Sequence, residues 1–384
     1  MAHPGNGAAR LPEPALPTGA TSCPVPARTL VRVLRPQLPT IGTLKPYIER
    51  IDGARIYSNY GPLSREFGER LGRMAGAAGT ALTANGTSAI ELALRLRARQ
   101  GSLCLMPAFT FIASAHAVCN AGLTPYLADV DAEALVLTTQ IAHAALAQAP
   151  AQVAAVLVVS AFGAPPDQGA WAQFEADTGI PVVFDAAAAV TALDGIGRQP
   201  VCVSLHATKV LGIGEGGAIF SADTALTDEA TALTGFGFRS AERVSTLRGG
   251  NYRISEYAAA VGLAAMDGLP QQTAALRALT AAYASRLQHK AARLQRGAGA
   301  QWVTMTLNAI VPASQVQAVT DRMDADRIEW RRWWGLGCHR HPAFADVPRA
   351  TLRQTDAVAP CVIGLPFHLG LTQDEIDRVV ACLP

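Results

Sequence analysis

Val153-Ala-Ala-Val-Leu-Val-Val-Ser160, Gln168-Gly-Ala-Trp-Ala-Gln-Phe-Glu-Ala-Asp-Thr-Gly179 and Pro181-Val-Val-Phe-Asp-Ala186 follow one another closely in the chain. The outer two are short apolar runs without polar alternation, as in strands covered on both faces. Between them, apolar residues recur at three- and four-residue intervals, the period of a helix with one buried face. A strand, a helix and a strand in that order make a parallel pair joined by a crossover. The same alternation extends upstream, through the strand-like runs LCLMPA (103–108) and TPYLADV (124–130). The helix-like segments SAIELALRLRA (88–98) and AHAALAQA (142–149) alternate with them. The expected fold class is therefore α/β, with a largely parallel sheet and helices on both faces.

Beyond about Leu269 the pattern changes to a long helical stretch, QQTAALRALTAAYASRLQHKAARL, and then to the mixed segment VTMTLNAIVPAS. A smaller C-terminal α/β domain is expected there. It closes on TQDEIDRVVACL, where Thr372 followed three residues later by Glu375 reads as a capped helix. Three regions result: a Pro- and Ala-rich tail over 1–35, mobile or lying as a strap on the surface, a large domain over 36–268, and a small domain over 269–384.

Composition narrows the function. Of 384 residues half are apolar and 16% charged, with 32 Lys and Arg against 30 Asp and Glu. That composition argues against a disordered chain, and without a basic block the chain does not read as a nucleic-acid binder. Mean hydropathy is +0.20, but charged or turn residues break every long apolar stretch well short of the roughly 20 positions a membrane span needs. No membrane partner is expected, and the first residues lack the apolar core of a secretory signal. The seven cysteines are scattered, with no C-x-x-C pair to hold zinc. The expectation is a reduced, cytoplasmic protein without a metal.

Four segments carry candidate chemistry. In Ser204-Leu-His-Ala-Thr-Lys209-Val-Leu-Gly-Ile-Gly-Glu-Gly-Gly217 a lysine lies between hydroxyl residues and a glycine run. Partial burial there would lower an amine's pKa and favour imine formation. An ordinary loop lysine beside turn glycines is the plainer reading. The Gly212-x-Gly214-x-Gly216 spacing suggests a dinucleotide fingerprint, but it precedes the strand-like Ala218-Ile-Phe220 instead of opening a helix. Asp185 ends an apolar strand, where parallel sheets bind ligands, and its charge suits a protonated pyridine nitrogen. It would serve equally as a helix cap. Ala84-Asn-Gly-Thr-Ser-Ala89 opens a helix and would converge amides on an anion, or would simply contain a cap. Pro107-Ala-Phe-Thr-Phe111 presents aromatics after a strand, for a flat ring or for the core.

Together these segments resemble the DegT/StrS family of sugar aminotransferases, of aspartate aminotransferase fold type I. The resemblance runs from about Leu34 to the C-terminus through RIYSNYGPL, ANGTSAIELAL, MPAFTFIASAHAV, GLTPYLADVD, FDAAAA, SLHATKVLGIGEGGAIF, GGNYRISEYAAAVGL and IGLPFHLGLTQDEIDRVV. It implies a mostly parallel seven-stranded sheet in the large domain. Pyridoxal 5′-phosphate is the implied cofactor, with Lys209 as Schiff-base lysine and proton carrier, Asp185 at the pyridine nitrogen and Phe111 on the ring. Gly86, Thr87, Ser88 and Ser204 would hold the phosphate. So would Asn251 of the partner subunit, which makes the protein a homodimer with shared active sites. Asn59, His206, Arg253, Arg332 and His341 are the substrate candidates. The segment Glu329-Trp-Arg-Arg-Trp-Trp334 resembles the family's sugar-nucleotide region, although a Trp-rich packing surface is a sufficient reading of it.

The resemblance implies amino transfer from Glu or Gln to a nucleotide-linked keto sugar. The alternatives are a non-sugar cyclic ketone as acceptor, or a cofactor-binding regulatory protein without turnover. One departure stands out: where many members carry Gln three residues after the Asp, contacting the cofactor's ring hydroxyl, this chain has Ala188, which cannot donate a hydrogen bond.

Overall fold

Residues 29–98, 102–239 and 242–384 are described by the computed structural model. The main sheet contains β1 (Gly79–Thr83), β2 (Leu103–Pro107), β3 (Thr124–Ala128), β4 (Val153–Val159), β5 (Val182–Asp185), β6 (Val201–Ser204) and β7 (Gly217–Ser221). Their spatial order is β1-β7-β6-β5-β4-β2-β3. β3, β2, β4, β5 and β6 run parallel, and β7 is antiparallel to both its neighbours. The sheet is thus seven-stranded and mostly parallel, as the resemblance implies.

β4 shows why its sequence lacks alternation. Val156 and Val158 pack into one core cluster and Ala155 and Leu157 into another, on opposite faces of the sheet. The connecting helix Gln168–Thr178 starts on Asp167, whose side chain accepts the Ala170 amide, and ends at Gly179 with φ +66°. Trp171 and Phe174, three residues apart on this helix, are its buried residues. Because the crossover places successive strand ends on one edge, the carboxyl ends of β4, β5 and β6 lie side by side.

A second, antiparallel sheet joins β8 (Arg293–Leu294), β9 (Leu307–Ile310) and β10 (Val362–Leu365) in the order β10-β9-β8. Helix Gln373–Cys382 carries the capping box read from the sequence, Thr372 and Glu375 exchanging bonds with each other's backbone. The boundary expected at 268/269 falls inside one continuous helix, Glu256–Leu287, which carries Pro270. Among the described residues no helix is long and apolar enough to cross a membrane. Most of the tail expected over 1–35, namely 1–28, lies outside the described residues. The remainder is a strap: Val31 pairs with Ile328, and the Val33 amide donates to Glu329 at 3.0 Å. Leu34 then reaches the cavity described next.

Candidate active site

A cavity of about 360 Å³ opens at the carboxyl ends of β4, β5 and β6. Gly86, Thr87, Phe111, Asp185, Ser204, His206 and Lys209 all line it, so the four sequence segments converge on one place. Each arrives for a local reason.

Asp185 is the last residue of β5 and is 5% exposed. Its carboxylate accepts the Ser114 hydroxyl at 2.6 Å and the Ala187 amide at 3.1 Å. Ser114, on helix Ile112–Asn120, is itself held by Thr110 at 2.8 Å. Burial raises the Asp185 pKa, while Ser114, the Ala187 amide and the positive charge of Lys209 work against that rise. Lys209 shows the converse: burial lowers its amine and Asp185 opposes the change.

The loop carrying Lys209 is a ladder that glycines permit. Leu205 and Ala207 donate backbone bonds to Gly216 and Gly214, and the Lys209 amide donates to His206 at 2.8 Å. Gly214 takes φ +97°, and a Cβ on Gly212 would lie 2.7 Å from the Ala207 carbonyl oxygen. The glycine run therefore shapes the lysine loop. β7 follows it where a dinucleotide fingerprint would open a helix.

Helix Gly86–Arg97 begins at Asn85, whose side chain accepts the Ser88 amide at 2.8 Å. The amides of Gly86 and Thr87 have no protein acceptor among the described residues. Gly86 lies so close to β6 that a Cβ would come within 2.8 Å of the Ser204 Cβ. Two free amides at a helix N-terminus, beside the Ser204 and Thr87 hydroxyls, make an anion cup. Phe111, just before helix Ile112–Asn120, is 54% exposed, leaving a ring face free. Cup, ring face, carboxylate and amine fit the phosphate, ring, pyridine nitrogen and aldehyde of pyridoxal phosphate.

The remaining candidates lie elsewhere. Ser88 is buried with its amide committed to Asn85, and it does not line the cavity. Asn59, Asn251 and Arg253 form a separate cluster: the Arg253 guanidinium donates to Asn59 and, at 2.9 Å, to Asn251, and lies 5.1 Å from the Phe236 ring. Arg332 lies over Trp330 at 5.1 Å, and neither it nor His341 lines the cavity. Their segment reaches the cavity through Trp333 and Trp334 instead, the latter stacked on Phe162 with ring centroids 3.9 Å apart. His339 pairs with Asp356 at 3.0 Å.

Asn85, Thr110, Ser114 and Ser160 were not named from the sequence as wall or support residues, whereas Trp333 and Trp334 lie in the Glu329–Trp334 segment singled out there, in which only Arg332 was a named candidate. Thr110 precedes helix Ile112–Asn120 and Ser114 lies in its first turn, so their hydroxyls meet at the helix N-terminus. His206 was expected and is present, its Nδ1 2.8 Å from Thr208 Oγ1 and its Nε2 3.7 Å from Glu215.

The model of the DegT/DnrJ/EryC1/StrS aminotransferase family matches residues 42–384. Protein Rv3402c of Mycobacterium tuberculosis is 31% identical over 91% of this chain and 88% of its own. GDP-perosamine synthase of Caulobacter vibrioides is 29% identical, covering 78% of this chain and 83% of its own. The crystal structure of DesI in the presence of its TDP-sugar product superposes with a TM-score of 0.84. That match has 28% identity and covers 93% of each chain.

Proposed function

We propose that this chain, which belongs to the DegT/DnrJ/EryC1/StrS aminotransferase family and is a pyridoxal-phosphate-dependent transaminase, transfers an amino group from Glu or Gln to a nucleotide-linked keto sugar. Asn251 of the partner subunit completes its site. The observation that carries this reading is the convergence of Asp185, Lys209 and the Gly86–Thr87 amides on one cavity. The similarity to GDP-perosamine synthase and to DesI with its TDP-sugar supports the acceptor class.

Pyridoxal phosphate, when bound, supplies the electron sink and the amino carrier. The chain's residues do the rest. The Gly86 and Thr87 amides and the Ser204 hydroxyl bind the phosphate. Asp185, held by Ser114, keeps a proton on the pyridine nitrogen. Phe111 packs against the ring. Lys209 Nζ, made less basic by burial, takes the proton from the donor's α-carbon and delivers one to the acceptor carbon. Trp333, Trp334 and Phe162 shed water from the outer wall, which strengthens the charge interactions inside it.

Charge supports the shared site. Both substrates carry anionic groups, a carboxylate or a diphosphate, yet no arginine lines the cavity among the described residues. The Asn59–Asn251–Arg253 cluster is held together by the Arg253 guanidinium and does not line its own cavity; in the proposed dimer it brings that guanidinium to the neighbouring one. The test uses protein reconstituted with pyridoxamine phosphate and mixed with nucleotide-linked keto sugars or with non-sugar cyclic ketones, the products being identified by mass. Amination of a nucleotide-linked sugar is expected; amination of cyclic ketones alone would replace this acceptor class with the non-sugar one.

A further inference from the structure

Three buried polar atoms on the cavity wall have no hydrogen-bond partner among the described residues: Ser160 Oγ, Thr306 Oγ1 and Trp333 Nε1. Ser160, the residue following β4, lines the cavity, is 4% exposed, and its Oγ has no hydrogen-bond partner. Buried hydroxyls are nearly always partnered, so such a group calls for a ligand atom. The other wall hydroxyls near the strand ends are engaged. Ser114 donates to Asp185, Thr110 pairs with Ser114, Thr208 pairs with His206, and Ser204 accepts the His206 amide. Thr306 alone shares Ser160's condition among the wall's hydroxyls, and it comes from the segment leading into β9.

Sheet order fixes which part of a ligand Ser160 meets. The Ser160 amide donates to the Asp185 carbonyl at 2.8 Å, so the two residues end adjacent strands. On the other side of Asp185 lies β6 with Ser204, against which Gly86 and the anion cup are packed. The cup is thus on the β6 flank and Ser160 on the β4 flank. In pyridoxal phosphate the phosphate arm and the phenolic oxygen sit on opposite flanks of the axis from ring nitrogen to aldehyde. With the nitrogen at Asp185 and the phosphate in the cup, the phenolic oxygen faces β4. Ala188, which also lines the cavity, has no polar side chain to offer it.

We propose that Ser160 Oγ donates a hydrogen bond to the phenolic oxygen of bound pyridoxal phosphate, and so sets the pH at which the bound cofactor changes colour. The proposal rests on the placement of Asp185 and Lys209 given above. A donor on an ionised phenol disperses its negative charge and weakens its hold on the proton at Lys209 Nζ. Without the donor that proton is held more tightly, and the colour change moves to higher pH.

The test titrates the visible band of the cofactor-loaded protein in Ser160→Ala, Ser160→Thr and Thr306→Val. Ser160→Ala is expected to raise the transition by about one pH unit and to weaken cofactor binding about tenfold. Ser160→Thr, which keeps a hydroxyl, returns both toward wild type. A purely structural serine would lower the melting temperature of the cofactor-free protein when replaced. Here Ser160→Ala is expected to melt no lower than wild type, because it removes an unpartnered buried group. An unchanged transition and affinity in Ser160→Ala, or a shift produced by Thr306→Val instead, would overturn the proposal. Borohydride reduction of the same wild-type sample separates the two levels: a label on a lysine other than Lys209 overturns the underlying placement.

Discussion

Asp185 is a burden to the protein alone and an asset once a cation lies against it. Burial raises its pKa, so the folded chain binds this proton more tightly than the unfolded chain does. The penalty is therefore absent below the ordinary carboxyl range and grows as pH rises through the raised value. Asp185→Asn is expected to melt higher than wild type at neutral pH without cofactor, the gap closing in acid. With cofactor the sign reverses, because the pyridine nitrogen loses its counter-charge: amino transfer should fall at least about a hundredfold, on the order of 3 kcal/mol. A variant less stable at neutral pH, or with near-normal turnover, would make Asp185 a structural cap. Burial also lowers the Lys209 amine, and borohydride should fix the cofactor there; a label elsewhere would refute the role. Both residues were legible in the sequence because their signals are local, a strand-end acid and a lysine before a glycine run. Ser160 was not, since nothing in Val-Val-Ser-Ala shows that its hydroxyl would be left without a partner.

The anion cup belongs to the scale of the element. Helix Gly86–Arg97 has free amides in its first turn, as any helix does, and they sit at the end of β6 because its first residue packs there, where even one extra methyl would collide with the Ser204 Cβ. Gly86→Ala must separate helix from strand. We expect cofactor affinity to fall about tenfold or more, measured by equilibrium binding, with near-UV circular dichroism retained; unchanged affinity would contradict the cup. The small-residue run before an amphipathic helix announced this element, but which residue caps it depends on backbone angles. Asn85, extended at φ −164°, captures the Ser88 amide, so the serine expected on the phosphate lies in the helix and off the cavity wall. The Trp-rich segment was marked by the resemblance, but which of its side chains face the cavity was not legible. Trp333 and Trp334 are brought to the cavity by long-range pairing, Arg331 bridging Gly364 beside β9, and periodicity in the sequence carries no trace of that.

On the scale of the whole molecule, strand–helix alternation revealed the parallel core, while the antiparallel placement of β7 between β1 and β6 has no local signature. The continuous helix Glu256–Leu287 ties the region of the large sheet to that of the small one, so a change of sequence pattern at 268/269 does not mark a break in the chain's path. Asn251 and Arg253 do not line their own cavity; under the proposed shared site each subunit lends these groups to the other, and dimerisation and cofactor affinity are linked. Mixing Lys209→Ala with Asn251→Ala subunits tests this directly, because a heterodimer holds one site with both wild-type residues and one with neither. Heterodimers confirmed by mass should recover up to about half of wild-type activity; no recovery would show that Asn251 serves its own subunit and that the shared site is wrong.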